Sequence, residues 1–310
     1  MPDVSPLVRN GVSIDATYAE AFDMRATALV ITAPTLRWAR IAATSVTGFA
    51  TSVIGCGVEA GIDAEMAPET TPDGRPGLRV LLFAGSTGEL QKQLVNRVGQ
   101  CVLTSPGSAC YSGLIGTEPL KLGDGLRYFA DGFQISKRLP DRHIWRLPVM
   151  DGEFVCEGTT GLTKAAVGGG NLIVMGRTSD ATLAAAEAAA DAVAGVADAI
   201  APFPGGIARS GSKIGSKYKG LIASTNHFYC PTLRGAVADS ALGPEIGAVL
   251  ELVIDGLTPE AVAAAMRAGL AAIVALGPER GACRIGAGNY GGKLGRHHFH
   301  LHDLAPEAAS

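Results

Sequence analysis

The chain has 310 residues, 47% of them apolar and 18% charged, with 41 dispersed glycines. This is the composition of a globular α/β protein of about two domains. A net charge of −3 and a pI near 6.1 exclude a basic nucleic-acid footprint. No apolar run reaches the roughly 20 residues of a membrane span and the opening residues lack a signal-peptide core, so the expectation is a cytoplasmic protein without membrane contact.

In chain order, Thr17 and Glu20 stand at capping-box spacing and predict a first helix. Thr27–Thr32 reads as a buried strand and Thr35–Thr47 as a helix with Trp38, Ile41, Ala42 and Ser45 on one face. Leu78–Phe83 is a strand; Ser86 and Glu89 form a second capping box for a helix over Leu90–Val102. The second half repeats the grammar. Asn171–Met175 is a strand, Asp180–Ala194 an alanine-rich helix stopped by Gly195, and Val249–Ile254 a strand. Thr258 caps a helix with Pro259 in its first turn and an apolar stripe of Met266, Leu270 and Ile273. Cys283–Ala287 and His298–His302 close the chain as strands, and Ala305–Ser310 reads as frayed. The pattern predicts an α/β (α+β) fold: two ferredoxin-like lobes with split β-α-β topology and antiparallel or mixed sheets, residues 1–150 and 151–310. Spans 103–125 and 201–247 are long and poor in periodicity, which points to functional loops.

Gly286, Gly288 and Gly291 fit the Gly-x-Gly-x-x-Gly spacing. The dinucleotide motif needs a helix after the glycines to supply its amino-terminal dipole. Here Lys293-Leu294-Gly295-Arg296 and alternating histidines follow, so the loop brings backbone close to something other than a dinucleotide. Gly206 to Gly211 has the start of a P-loop spacing, but Ser212-Lys213 inverts the required order. Lys213 and Lys217 either form a solvated basic loop or hold an anion with nearby backbone donors. His298, His300 and His302 would share one face of a strand, as zinc ligands or as a structural row. Glu251, inside VLELVI, is either on the solvated sheet face or buried with a raised pKa as an acid/base group. Glu59 and Asp63 read as turn carboxylates. Six scattered cysteines show no ribbon spacing and read as reduced thiols.

Taken together, Asn10–Val12 with Thr17–Phe22, Gly48–Asp63, Thr71–Gly77, Gly99–Val102, Gly168–Asn171, Pro202–Ile207, Ser212–Lys217, Ser224–Thr232 and Ala287–Asp303 resemble the formylmethanofuran–tetrahydromethanopterin formyltransferase family. The resemblance runs along nearly the whole chain and is weakest over residues 103–150. It implies transfer of a formyl group between the amine of methanofuran and N5 of tetrahydromethanopterin, both as substrates, with no prosthetic group and no metal. The resemblance also implies a homo-oligomer, commonly tetrameric. The mild charge is similar to the bacterial methylotroph version, one of several subunits in a formyltransferase/hydrolase complex serving formaldehyde oxidation. Glu251 matches the family's catalytic carboxylate. Gly205, Gly206, Ser212, Lys213, Lys217, Asn226, Gly288, Asn289 and Gly291 fall in matching strings and are the expected substrate contacts, with backbone N–H groups of the glycine loops as oxyanion donors. His300 and His302 match the family pattern, whereas His297 and His298 depart from it.

Formyl transfer passes through a tetrahedral oxyanion, so the site has to stabilise negative oxygen and move a proton between two nitrogens. A route through a formyl-thioester on Cys56 or Cys230 competes with direct transfer, His227 being the histidine near Cys230 in sequence. Two alternatives of other classes are a substrate-handing structural subunit and a metal-dependent formyl hydrolase built on the carboxy-terminal histidines.

Overall fold

The computed structural model describes residues 5–116 and 118–307. In chain order the elements used below are strand β1 (Tyr18–Thr32), helix α1 (Leu36–Thr47), β2 (Val58–Met66), β3 (Gly77–Ala84), α2 (Thr87–Arg97), β4 (Ala109–Ser112), β5 (His143–Val149), β6 (Gly152–Glu157), β7 (Thr159–Gly176), α3 (Ser179–Ala194), β8 (Ala248–Gly256), α4 (Pro259–Arg280), β9 (Arg284–Gly286) and β10 (His297–His300).

Contacts divide the described chain into a unit of residues 24–166 and a unit of residues 5–23 with 167–307. The sequence-based division at 150 therefore does not follow the packing, and pairing supplies the reason. Val12–Ile14 pairs in parallel with β9, and β10 pairs antiparallel with residues 18–21, which ties the amino terminus to the second half. Residues 152–157 stay with the first half because β6 pairs with both β5 and β4.

In the 24–166 unit the sheet runs β2, β3, β1, β4 with antiparallel neighbours throughout. With α1 after β1 and α2 after β3, this is the split β-α-β arrangement expected from the sequence. The Thr35 hydroxyl accepts the Trp38 amide and starts α1; Ser86 does the same for Glu89 and starts α2. The apolar face of α1 is Ala39, Ala42, Ala43 and Val46, one position round from the expected one, so Ile41 and Ser45 face solvent. Beyond Arg97 one π-helical stretch, Val98–Val102, delivers Val98 and Val102 to the same core as Leu90 and Leu94.

In the other unit the order is Ala199–Ile200, β8, β7, β9, again antiparallel, with α3 and α4 as the two crossovers. Leu172 and Val174 of β7 and Leu252 and Ile254 of β8 point to the helices and pack with Ala185, Ala189, Met266, Leu270 and Ile273. Each such side chain contributes about 1.5–3 kcal/mol on burial. Thr178 and Thr258 cap α3 and α4. By length and mean hydropathy (1.7) α4 is apolar enough to cross a membrane, contrary to the sequence reading. Its apolar residues are those of a core helix: Val262, Met266, Leu270, Ile273 and Val274 are buried in the unit. The opposite face of this sheet presents Ile173, Met175, Val249 and Glu251. Residues 201–247, an insertion between the second and third strands, cover it with Tyr229, Leu242 and Ile246.

The helix expected from Thr17 and Glu20 does not form. Residues 18–32 are one strand, since pairing of residues 18–21 with β10 and of residues 25–32 with β3 outweighs a local cap. The frayed end expected over 305–310 lies partly outside the described residues, and Ala305 packs against the core.

Candidate active site

Glu20 is fully buried and its carboxylate gathers the glycine-rich loop. One oxygen accepts the amides of Tyr290 (2.6 Å) and Gly292 (2.8 Å), the other those of Leu294 and Gly295 (both 2.7 Å). Burial alone would raise its pKa; the four donors overcome that and hold it at about 2. The glycines let the loop lie against β1. A Cβ at Gly295 would stand 2.4 Å from the Ala21 carbonyl, and one at Gly292, where φ is +72°, 2.5 Å from the Tyr18 hydroxyl. Strand β10 follows the loop directly, in line with the loop-and-strand reading of the sequence. Asn171 completes the frame: its Oδ1 accepts the Gly288 amide at 2.6 Å, and its Nδ2 donates to the Gly288 carbonyl. The Gly291 amide donates to Asn289 Oδ1, whose own Nδ2 reaches Thr17. The amides of Gly288, Gly291 and Gly292, expected as oxyanion donors, are thus committed within the protein. What the loop places toward solvent is a wall carrying Tyr290, whose ring lies 5.8 Å from that of Phe22.

Glu251 occupies the helix-free face of the sheet, opposite Ile173 in register and bridged to Ala208 by backbone bonds of 2.8 and 2.9 Å. A cavity of about 50 Å³ surrounds its carboxyl group, lined by Ile173, Gly211, Asn226, Tyr229, Cys230 and Glu251 among others. Gly211 is what lets the carboxyl sit there, since a Cβ would stand 2.8 Å from its Oε2. Burial raises the Glu251 pKa to about 7, without an opposing cation or donor. Tyr229 and Tyr290 are also raised, first by burial and then by carboxylates that include Glu251. Two buried carboxylates of one unit, Glu20 near 2 and Glu251 near 7, are therefore driven apart by environment. The first is an anion that builds the loop and the second an acid able to titrate at neutral pH. A larger apolar groove of about 1020 Å³ on the 24–166 unit offers only Asp151 as a titratable group, and that carboxylate accepts the Gly107 amide.

The fold has known counterparts. A family model described as formylmethanofuran-tetrahydromethanopterin formyltransferase matches residues 7–149, and one described as its proximal lobe matches residues 152–304. The chain belongs to the formylmethanofuran–tetrahydromethanopterin formyltransferase family. It is 55% identical to one of the subunits of the formyltransferase/hydrolase complex of Methylorubrum extorquens, over 99% of this chain and all of that one. It is 45% identical to the formyltransferase of Methanocaldococcus jannaschii over 95% and 98% of the two chains. Among solved structures, the Methylorubrum extorquens complex with methylofuran matches with a TM-score of 0.95 at 56% identity, covering 98% of this chain and all of the matched one. The Methanosarcina barkeri formyltransferase matches at 0.91 and 44% identity, covering 96% and all.

In this family member Ser212, Lys213 and Lys217 lie on a hairpin formed by Ser212–Ile214 and Ala223–Thr225, which begins one residue beyond Gly211; no P-loop helix is present among the described residues. Asn226 lines the Glu251 cavity. Gly205 and Gly206 adopt positive φ in a turn, and Gly206 packs on Ala190 of α3, where a Cβ would meet another at 3.0 Å. That turn serves the packing of the segment and does not line the cavity. His298 and His300 share a face and stack on Tyr18 at 4.8 and 5.1 Å. His302 does not join them: β10 ends at His300, and the His302 Nε2 bonds the Ile14 carbonyl at 3.0 Å. The expected three-histidine face is therefore absent, and among the described residues no group of three potential ligands is arranged for a metal.

The Cys230 thiol donates to the Asn226 carbonyl (3.5 Å), while His227 faces Asp239 (3.9 Å), so the expected thiol–imidazole pair is not formed. At Cys56 burial raises the pKa, but hydrogen bonds from Ser52 and Thr51 and the Arg97 charge bring it below the ordinary thiol value. Glu59 accepts the Val53 amide and Asp63 pairs with Arg79 at 2.6 Å, both as turn and strand supports. Sequence reasoning missed Glu20, Asn171, Tyr229 and Tyr290. For Glu20 the strand pattern carried no such signal: alternation with Ala19 and Ala21 reads as the opposite, solvated face, and the 290–295 loop is what buries it.

Proposed function

We propose that this chain moves a formyl group between the amine of methanofuran and N5 of tetrahydromethanopterin, with Glu251 as its acid. The observation that carries the reading is a carboxyl group raised to about 7 by burial, in a small cavity that Arg209, Asn226 and Tyr229 also line. In its protonated form Glu251 donates to the formyl oxygen. N5 attacks the formyl carbon, the carbonyl electrons move to that oxygen, and the tetrahedral intermediate is stabilised by the Glu251 hydrogen bond. Collapse breaks the bond to the methanofuran nitrogen, and the proton released from N5 passes to that nitrogen, with Glu251 as relay. No thiol intermediate is needed.

Lys213, Lys217 and Ser212, on the hairpin beyond Gly211, take the anionic parts of the substrates, and Asn289 and Tyr290 wall the cleft through side chains. Gly205 and Gly206 shape the segment that carries Ala208 to Glu251. In the cell the chain acts in the cytoplasm, as a homotetramer joined to other subunits of a formyltransferase/hydrolase complex, in formaldehyde oxidation. The relationship to a subunit of the Methylorubrum extorquens complex supports the association with other subunits.

The test is transfer from formyl-tetrahydromethanopterin to methanofuran, and the reverse, by purified wild type and Glu251→Gln with both substrates saturating. Loss of one oxyanion donor lowers kcat by about 10²–10³. Wild-type turnover by the variant would remove Glu251 from the chemistry. Hydrolysis of the formyl donor that is lost with a chelator would favour the metal-dependent hydrolase instead.

A further inference from the structure

The Asn226 side chain is held from its backbone. Its amide donates to the Gly211 carbonyl at 2.9 Å, and its carbonyl accepts the Tyr229 amide at 3.0 Å and the Cys230 thiol at 3.5 Å. This places the side chain among the residues that line the Glu251 cavity. Its Oδ1 is fully buried, and no described donor of the protein reaches it. A buried amide oxygen left in that state is costly, so such an atom implies a donor from a bound molecule. The cavity is too small for the body of a cofactor-sized substrate. It admits a formyl group and the nitrogen that bears it.

Glu251 and Asn226 are complementary partners for a secondary formamide. One supplies an O–H toward the carbonyl oxygen, the other a lone pair toward the N–H. The two nitrogens of the reaction differ here. N5 of the pterin surrenders its only hydrogen when it is formylated. The methanofuran nitrogen bears hydrogen throughout, as secondary amide, as tetrahedral adduct and as primary amine. A fixed acceptor without a protein donor suits the nitrogen whose N–H persists.

We propose that Asn226 Oδ1 accepts the N–H of the methanofuran-side nitrogen, so that the formamide enters with its oxygen on Glu251 and its nitrogen on Asn226. The proposal rests on the formyl-transfer reading above. It makes Asn226 the residue that, on the methanofuran side, distinguishes a nitrogen bearing N–H from one that is alkylated.

The experiment compares formylmethanofuran with its N-methylated formamide analogue, using wild type, Asn226→Leu and Asn226→Asp. Wild type prefers the N–H donor at least about tenfold in kcat/KM, the value of one hydrogen bond to a buried acceptor. Asn226→Leu, similar in shape but without the acceptor, loses most of that preference. It raises KM for formylmethanofuran about tenfold and leaves KM for the pterin within about twofold. Asn226→Asp keeps an oxygen at the same place and keeps the preference, which decides the matter even if the Leu variant misfolds. A folded Asn226→Leu enzyme with undiminished preference, a wild type indifferent to N-methylation, or loss of preference in Asn226→Asp each overturns the assignment. Absence of transfer by wild type with either donor refutes the formyl-transfer reading itself, and the assignment with it.

Discussion

Replacing Glu20 by Gln tests how the glycine loop is held. The substitution keeps the shape of the side chain but turns one oxygen into an NH₂, which faces two of the four loop amides as donor against donor. Two buried N–H groups then lose their acceptor at about 1–3 kcal/mol each. A second route gives a compatible figure: lowering the pKa from 4.5 to about 2 corresponds to about 3.4 kcal/mol of preference for the folded anion. The sign follows from the depressed value. This stability is fully present above pH 4.5 and is lost as pH falls toward 2. Urea unfolding at pH 7 should therefore show Glu20→Gln destabilised by about 3 kcal/mol. Between about pH 5 and 3 the wild type should lose stability more steeply than the variant. A variant within about 0.5 kcal/mol of wild type at pH 7, or with the same slope in acid, would refute this account of the loop.

Glu251 should show the opposite linkage. Its pKa is raised from 4.5 to about 7, so the folded protein loses stability as pH rises from 4.5 through 7. Glu251→Gln should be more stable than wild type by about 3.4 kcal/mol at pH 8 and nearly equal to it near pH 4.5, read by thermal unfolding. The same titration predicts forward rates limited by the protonated acid, falling above pH 7 in wild type and flat in the variant's residual activity. Gly211→Ala puts a methyl group 2.8 Å from the Glu251 Oε2 without a positive φ to strain. It should lower kcat about tenfold or more with an unchanged circular dichroism spectrum, and unchanged turnover would show that the carboxyl position is not critical. Met266→Ala in α4 should cost about 2–5 kcal/mol in chemical unfolding while leaving KM for both substrates unchanged.

Much of the architecture was legible in the chain because it is local. The caps at Ser86 and Thr258 act on amides three residues away, and the apolar periods of α3 and α4 need no partner to be seen. The strand–helix grammar written twice was enough for two ferredoxin-like halves, and Glu251 was marked by its place in an apolar strand. Thr17 and Glu20 show the limit. Their spacing is a valid helix start, and only the pairing of β10 and the approach of the 290–295 loop make the same Glu an inward strand residue. The histidine row failed for the same reason. Its alternation is real as far as His300, and the turn that sends His302 to the Ile14 carbonyl depends on a residue 288 positions away.

The sequence by itself determined most of the helices and central strands, the doubled topology and the family, since caps, periodicity and extended motif strings are encoded within short windows. Tertiary structure alone decided which carboxylate is an anion and which an acid. Both are flanked by apolar residues in strands. Glu20 meets four backbone donors brought from the far end of the chain, whereas the Glu251 carboxyl meets none, and that difference in long-range hydrogen bonding separates their pKa values.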